Sequence, residues 1–155
     1  MRYTDITVDK PVVTVSFSGC SHLCSDCVDI KMQDPCEGNS FNKDTLTSIV
    51  QTLDDEEFTH CIFRGGDPLY SVNRGGICDV TRTLKAIYGN DKILCIHTGY
   101  TLDEINRMND PVIEELFSYI DVLVDNDRCN NNNDRSYYRI VHHLHYNEFL
   151  AMKEK

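Results

Sequence analysis

The chain has no long apolar run, no long basic run and no internal repeat, and each absence narrows what it does. No stretch approaches the roughly 18 apolar residues of a membrane-spanning helix, so no membrane partner is expected. The first five residues, Met1 to Asp5, lack the apolar centre of a secretory signal, which sets the expectation of a cytoplasmic protein. Lysine and arginine number 15 against 25 aspartates and glutamates, a formal net charge of −10. That balance argues against nucleic acid or an anionic membrane as the primary partner. The one low-complexity run, Asn130 to Asn133, reads as a polar loop.

What is present is a chain of 155 residues, 41% hydrophobic, long enough to bury a real core as a single domain over 1–155. Strand and helix signals alternate. Val12–Ser18 reads as a buried strand rich in β-branched residues, and a loop then runs to about Asn39. From Asn42 to Leu53, the residues Leu46, Ile49, Val50 and Leu53 recur at helical spacing. Cys61–Phe63 is a short strand ending at Gly65-Gly66-Asp67-Pro68. A helix is expected over Val80–Tyr88, stopped by Gly89, then a strand over Lys92–His97. Leu102–Met108 and Val112–Phe117 read as helices broken at Pro111, and Ile120–Val124 as a fourth strand. Such alternation predicts an α/β fold with right-handed crossovers and a mainly parallel sheet of about five or six strands.

Ligands of parallel sheets collect beyond the carboxyl ends of the strands. By that rule the cysteine loop, Gly65–Pro68, Thr98-Gly99-Tyr100 and Asp125 converge on one rim. The cysteine loop carries Cys20, Cys24 and Cys27 at C-x3-C-x2-C spacing. Three thiolates on one loop can hold three irons of a [4Fe–4S] cube and leave the fourth open to a small molecule. Tetrahedral zinc held by the same cysteines with His22 or Cys36 is the competing reading. Cys36, Cys61, Cys78, Cys95 and Cys129 are scattered and read as structural or free thiols, because a disulfide scaffold does not suit the expected compartment. His142, His143 and His145 offer either a metal clip or separate surface positions, the second being favoured.

With these residues in hand, the chain resembles the radical S-adenosylmethionine (SAM) family of activating enzymes of class III anaerobic ribonucleoside-triphosphate reductase. Gly19-Cys20-Ser21-His22-Leu23-Cys24-Ser25-Asp26-Cys27 is similar to that family's G-C-x-H-x-C-x-x-C, Gly65–Leu69 to its G-G-D-P-L, and Thr98–Tyr100 to its T-G-Y. Ile120–Asp125 and Arg139–Leu144 resemble further segments in the same order. The resemblance implies that Cys20, Cys24 and Cys27 bind a [4Fe–4S] cluster whose open iron chelates SAM. Asp26, Cys27, Val28, Gly65, Gly66 and Asp67 would contact SAM, with Asp67 either adding charge there or capping the following turn. No side chain beyond the cluster and SAM is assigned to catalysis.

A flavodoxin-type donor would supply one electron, and a glycine Cα of the large glycyl-radical subunit would lose a hydrogen atom to the 5′-deoxyadenosyl radical. At 155 residues the chain is shorter than a complete eight-fold barrel of about 250, so the family resemblance implies an incomplete TIM-type barrel. Some residues depart from the family pattern. Asp26 brings a carboxylate beside the cluster, Val28-Asp29 replaces Tyr-Asn, and Asn126 stands where glycine usually follows Asp125. These departures bear on SAM affinity and partner contacts, and leave a non-activating paralogue and a radical SAM enzyme of small molecules as further readings.

Overall fold

The computed structural model describes residues 1–27 and 29–128, with the backbone of 136–139 and 152–153. Val28, Cys129, the asparagine run, His142, His143 and His145 lie outside the described residues. Among the described residues the fold is mixed α/β, one sheet of eight strands in the order β3-β1-β2-β4-β5-β6-β7-β8, with four α-helices. In chain order these are β1 (Arg2–Asp9), β2 (Val12–Phe17), β3 (Asn39–Ser40), α1 (Lys43–Leu53), β4 (His60–Gly65), α2 (Arg74–Tyr88), β5 (Ile93–His97), α3 (Leu102–Met108), α4 (Pro111–Phe117), β6 (Val122–Asp125), β7 (Ser136–Arg139) and β8 (Met152–Lys153).

The expectation of a mainly parallel sheet is corrected. The pairings β2–β4, β4–β5 and β5–β6 are parallel, whereas β1–β2, β1–β3, β6–β7 and β7–β8 are antiparallel. The cause is connection length. Only Lys10 and Pro11 separate β1 from β2, and so short a link can only make a hairpin, while parallel neighbours need a long crossover. The loop with α1, then α2, then α3 with α4, supply those crossovers in the centre of the sheet.

Alternation along the central strands gives the sheet two unlike faces. Val13, Val15 and Phe17 of β2, Phe63 of β4, Leu94 and Ile96 of β5 and Leu123 of β6 share one core with Ile49, Leu53, Ile77, Leu84, Ile105, Ile113 and Leu116 from the helices. The other face bears Thr14, Ser16, Arg64 and His97, and it is open as a cleft. Side-chain caps start α1, α3 and α4, whereas α2 follows Asn73 with no side-chain cap. Asn42 and Thr45 form a capping box on α1, Thr101 and Glu104 another on α3, and Asp110 caps α4 with Pro111 at its first position.

The eight described strands exceed the expected five or six, the additions to the four read from sequence being β1, β3, β7 and β8, and α2 starts early. β1 was not expected, because it lies almost at the sheet edge and only Tyr3 and Ile6 of it pack against the core. α2 begins at Arg74, six residues before the expected Val80, because Gly75 and Gly76 look like helix breakers yet lie inside it.

Candidate functional site

β2 runs straight into the cysteine loop. Ser18 is buried, and Gly19 turns the chain with φ +95°. The loop then returns to its own start through a 3-10 turn at Ile30–Gln33, whose Met32 and Gln33 carbonyls accept from the Gly19 and Cys20 amides at 2.7 and 3.2 Å. Between these anchors Cys27 N–H closes on the Cys24 carbonyl at 3.2 Å. All three thiols are half-buried, and none of the seven described cysteines is in a disulfide. Burial pushes the Cys20 thiol up to about 11, with the nearby Asp67, Cys24 and Cys27 adding to the effect.

The second loop is pinned against the first. Gly66 N–H donates to the Phe17 carbonyl at 2.7 Å and Asp67 N–H to the Gly19 carbonyl at 2.9 Å. A Cβ on Gly66 would sit 2.6 Å from both the Gly19 and Met32 carbonyl oxygens, so glycine there lets the cysteine loop pack. Asn73, fully buried and not singled out by the sequence, donates from its side-chain amide to the Ser18 and Asp67 carbonyls at 2.8 and 3.0 Å. No periodicity or spacing marks it, since it reads as one more turn residue.

The third loop joins through Asp67, whose side chain is fully buried. Its carboxylate accepts from Leu69 N–H at 2.9 Å, Thr98 Oγ1 at 2.8 Å, Gly99 N–H at 2.9 Å and the ring Nε2 of His22 at 2.6 Å. His22 meets the Tyr100 ring edge-on at 4.3 Å, and the Tyr100 hydroxyl lies 2.8 Å from Ser21 Oγ. The three loops therefore form one bonded unit, as the parallel-sheet rule required.

Other candidate residues sort themselves by geometry. Cys27, Gly65, Gly66, Arg64, His97 and Arg128 line one cleft of about 560 Å³, within the ordinary range for a small-molecule site. Asp26 is exposed, and its Oδ1 accepts from Ser25 Oγ at 3.4 Å. Asp125 accepts from Leu102 N–H at 2.9 Å and so holds the start of α3. Arg74 is paired with Asp110 at 2.6 Å. Arg128 is held by the Gly99 carbonyl at 2.7 Å and by Glu104.

Three unpaired thiols on one loop are a soft donor set that fits an iron–sulfur cluster. Tetrahedral zinc brings thiolates to about 3.8 Å of one another, from bonds of about 2.3 Å. Among the described residues, the one set of three ligand atoms within 4.8 Å of each other is Cys20, His22 and Asp67, and the 2.6 Å hydrogen bond accounts for its second and third members. Cys24 and Cys27 stand outside that set.

The remaining thiols lie elsewhere. Cys61 on β4, Cys78 on α2 and Cys95 on β5 are buried, and burial pushes Cys61 and Cys95 up to about 12. In the folded, cluster-free chain at pH 8, exposed Cys36 is expected to alkylate first and Cys61 and Cys95 only after unfolding. Peptide mass mapping checks this, and equal rates at Cys36 and Cys61 would contradict the placement.

The family described as a 4Fe-4S single cluster domain matches residues 11–143. An anaerobic ribonucleoside-triphosphate reductase-activating protein of Pasteurella multocida is 33% identical over 114 residues, covering 72% of this chain and 70% of the relative. The protein of the same name from Escherichia coli is 30% identical over 140 residues, covering 84% and 87%. That of Enterobacteria phage T4 is 27% identical over 113 residues, covering 73% and 68%. No solved structure matches the chain. With the cysteine loop, the glycine pair and the Thr98–Tyr100 turn joined at one cleft, the chain belongs to the 4Fe-4S single cluster domain family, among the anaerobic ribonucleoside-triphosphate reductase-activating proteins.

Proposed function

We propose that this chain activates an anaerobic ribonucleoside-triphosphate reductase by placing a glycyl radical on its large subunit. The observation that carries the reading is the opening of the cysteine loop onto the same cleft as Gly65 and Gly66, in a chain of this family. Cys20, Cys24 and Cys27 would hold three irons of a [4Fe–4S] cluster, and SAM would occupy the adjoining cleft. When bound, the cluster and SAM supply one-electron cleavage of the sulfonium carbon–sulfur bond, giving methionine and a 5′-deoxyadenosyl radical that takes a hydrogen atom from a glycine Cα.

The protein's own part is positioning. Anchored at Gly19 and Cys20 by the Met32 and Gln33 carbonyls, the loop presents its thiols from a fixed base. Backbone carbonyls at Gly65 and Gly66 are the acceptors assigned to the SAM ammonium. Cys27 lines the cleft and Asp26 stands at its exposed neighbour position, where water screens its charge from the cluster. Hydroxyls of Thr7, Thr14 and Ser16 with the Arg64 guanidinium make the rest of the wall polar, suited to the backbone of an entering glycine loop. The glycine Cα has to come within near-contact distance of the radical carbon, which an open face permits.

Three parallel pairings with helices on one face and an open polar face on the other support reading the sheet as part of an incomplete barrel. A flavodoxin-type protein is the proposed electron donor and the cytoplasm the proposed compartment. Among the described residues no helix is long and apolar enough to cross a membrane.

The test is direct. Anaerobically reconstituted, dithionite-reduced protein is expected to retain about four irons and four sulfides and to release 5′-deoxyadenosine from SAM. Mixing with the reductase is then expected to give the doublet of a glycyl radical in electron paramagnetic resonance. Retention of zinc without sulfide would overturn the reading, and nucleoside release without a glycyl radical would redirect it to a small-molecule substrate.

A further inference from the structure

Asp67 sits in the motif that the family resemblance assigns to SAM, yet its carboxylate has nothing left to offer a ligand. A carboxylate has about four acceptor sites. Here Oδ1 takes Leu69 N–H and Thr98 Oγ1, and Oδ2 takes Gly99 N–H and His22 Nε2. The side chain has no exposed surface, and that of His22 is only 7% exposed. A fifth donor would have to displace one of four bonds in a buried place, where unpaired polar groups are costly.

His22 is fixed from every side. Asp67 holds its Nε2, the Tyr100 ring lies against its edge, and its Cδ2 and Nε2 fill the space that a Cβ on Gly99 would occupy, 2.6 and 2.7 Å away. The residue's own backbone N–H points at Cys20 Sγ, at 3.5 Å. A continuous line of contacts thus runs from the end of β5, through Thr98 and Gly99, to Asp67, to His22 and so to the first thiol of the loop.

We propose that Asp67 and His22 are a positioning pair that fixes the Cys20 thiol for cluster ligation, and that Asp67 makes no contact with SAM. The proposal rests on the cluster reading of the preceding section, but it has a readout that needs no cluster. Groups behind a metal ligand orient it, and their loss commonly costs about 10- to 100-fold in metal affinity. The pair acts as a unit, so its two members are expected to be non-additive.

The experiment compares the full-length wild type with Asp67→Asn, His22→Gln and the double variant. In the cluster-free chain, iodoacetamide labelling followed by mass mapping is expected to show Cys20 modified several-fold faster, relative to Cys36, in each variant. After reconstitution, each single variant is expected to lose iron to a chelator about 10- to 100-fold faster than wild type. The reduced cluster is expected to show altered g-values before SAM is added, and the double variant to be no worse than the worse single. Unchanged Cys20 labelling and unchanged SAM-free spectra, with SAM affinity alone reduced in Asp67→Asn, would overturn the proposal and return Asp67 to the cofactor. If Asp67→Asn fails to fold, His22→Gln decides by the same labelling and spectra, since it changes a loop side chain outside the hydrophobic core. A wild type that holds no cluster would sink the activase reading and leave the labelling result to stand on its own.

Discussion

Alanine at Cys24 or at Cys27 is expected to abolish 5′-deoxyadenosine release, whereas alanine at Cys36, Cys61 or Cys95 leaves release and iron content close to wild type. The contrast follows from placement. Cys24 and Cys27 stand on the loop between its two anchors, joined by the Cys27 N–H bond to the Cys24 carbonyl, and both are accessible. Cys61 and Cys95 are in the centre of the sheet, at 0% and 7% exposure. Cys36 is exposed, but it follows the returning 3-10 turn, with its amide tied to Asp34 Oδ1 at 2.8 Å. A cube held by three thiolates loses a whole corner with any one of them, while a zinc site with a fourth protein ligand would also need Cys36 or His22. Iron and sulfide analysis with nucleoside release reads both outcomes. Cluster loss in Cys36→Ala comparable to that in Cys24→Ala would mean a four-ligand site with no iron open to SAM, and would remove the basis of the proposed chemistry.

Much of this arrangement is visible in the residues before any coordinates. Val13, Val15 and Phe17 alternate with Thr14 and Ser16, and the structure buries the first set completely while the second faces the cleft. Ile49 and Leu53 recur on a helical stripe behind an Asn42 cap, and both are buried. The meeting of three loops beyond the strand ends follows from parallel topology alone.

What was not legible depends on partners distant in the chain. β1 has few apolar residues because one neighbour is the two-residue β3, so its alternation is weak. Gly75 and Gly76 hide the first six residues of α2, and at Gly76 a Cβ would meet Met1, at the start of the chain. Asp67 shows the same limit within the site. Its sequence neighbours are glycines and a proline, which point to a ligand or a turn cap; the Leu69 N–H bond is that cap, while the other partners stand 31 and 32 residues ahead and 45 behind. A lone histidine between two cysteines was the available hint of that pairing, and only distance could turn it into one.

Gly65 puts the same dependence on distant backbone to a quantitative test. Gly65→Ala is expected to destabilise the fold by about 3 kcal/mol or more, a large part of the roughly 5–15 kcal/mol typical of a domain. Its φ of +112° is a conformation that side chains rarely adopt, and a Cβ there would lie 2.4 Å from Phe17 N and 2.5 Å from Phe17 O. Both contacts are backbone atoms of the paired β2 strand, so neither can swing aside, and relief would part Phe17 from Gly65 in the sheet. It would also pull on the Gly66 N–H bond to Phe17 O, which starts the pinned loop. At about 2–4 °C per kcal/mol for a chain of this size, the melting temperature should fall by roughly 6–12 °C or more. Gly75→Ala is the matched control. A Cβ on Gly75 meets nothing within 4 Å, and the residue lies inside α2, so the same substitution should stabilise by about 0.5–1 kcal/mol. Thermal melts of the two variants should therefore move in opposite directions. A Gly65→Ala chain as stable as wild type would mean that the strand end is free to rearrange, and that glycine there answers to the bound cofactor instead of to Phe17.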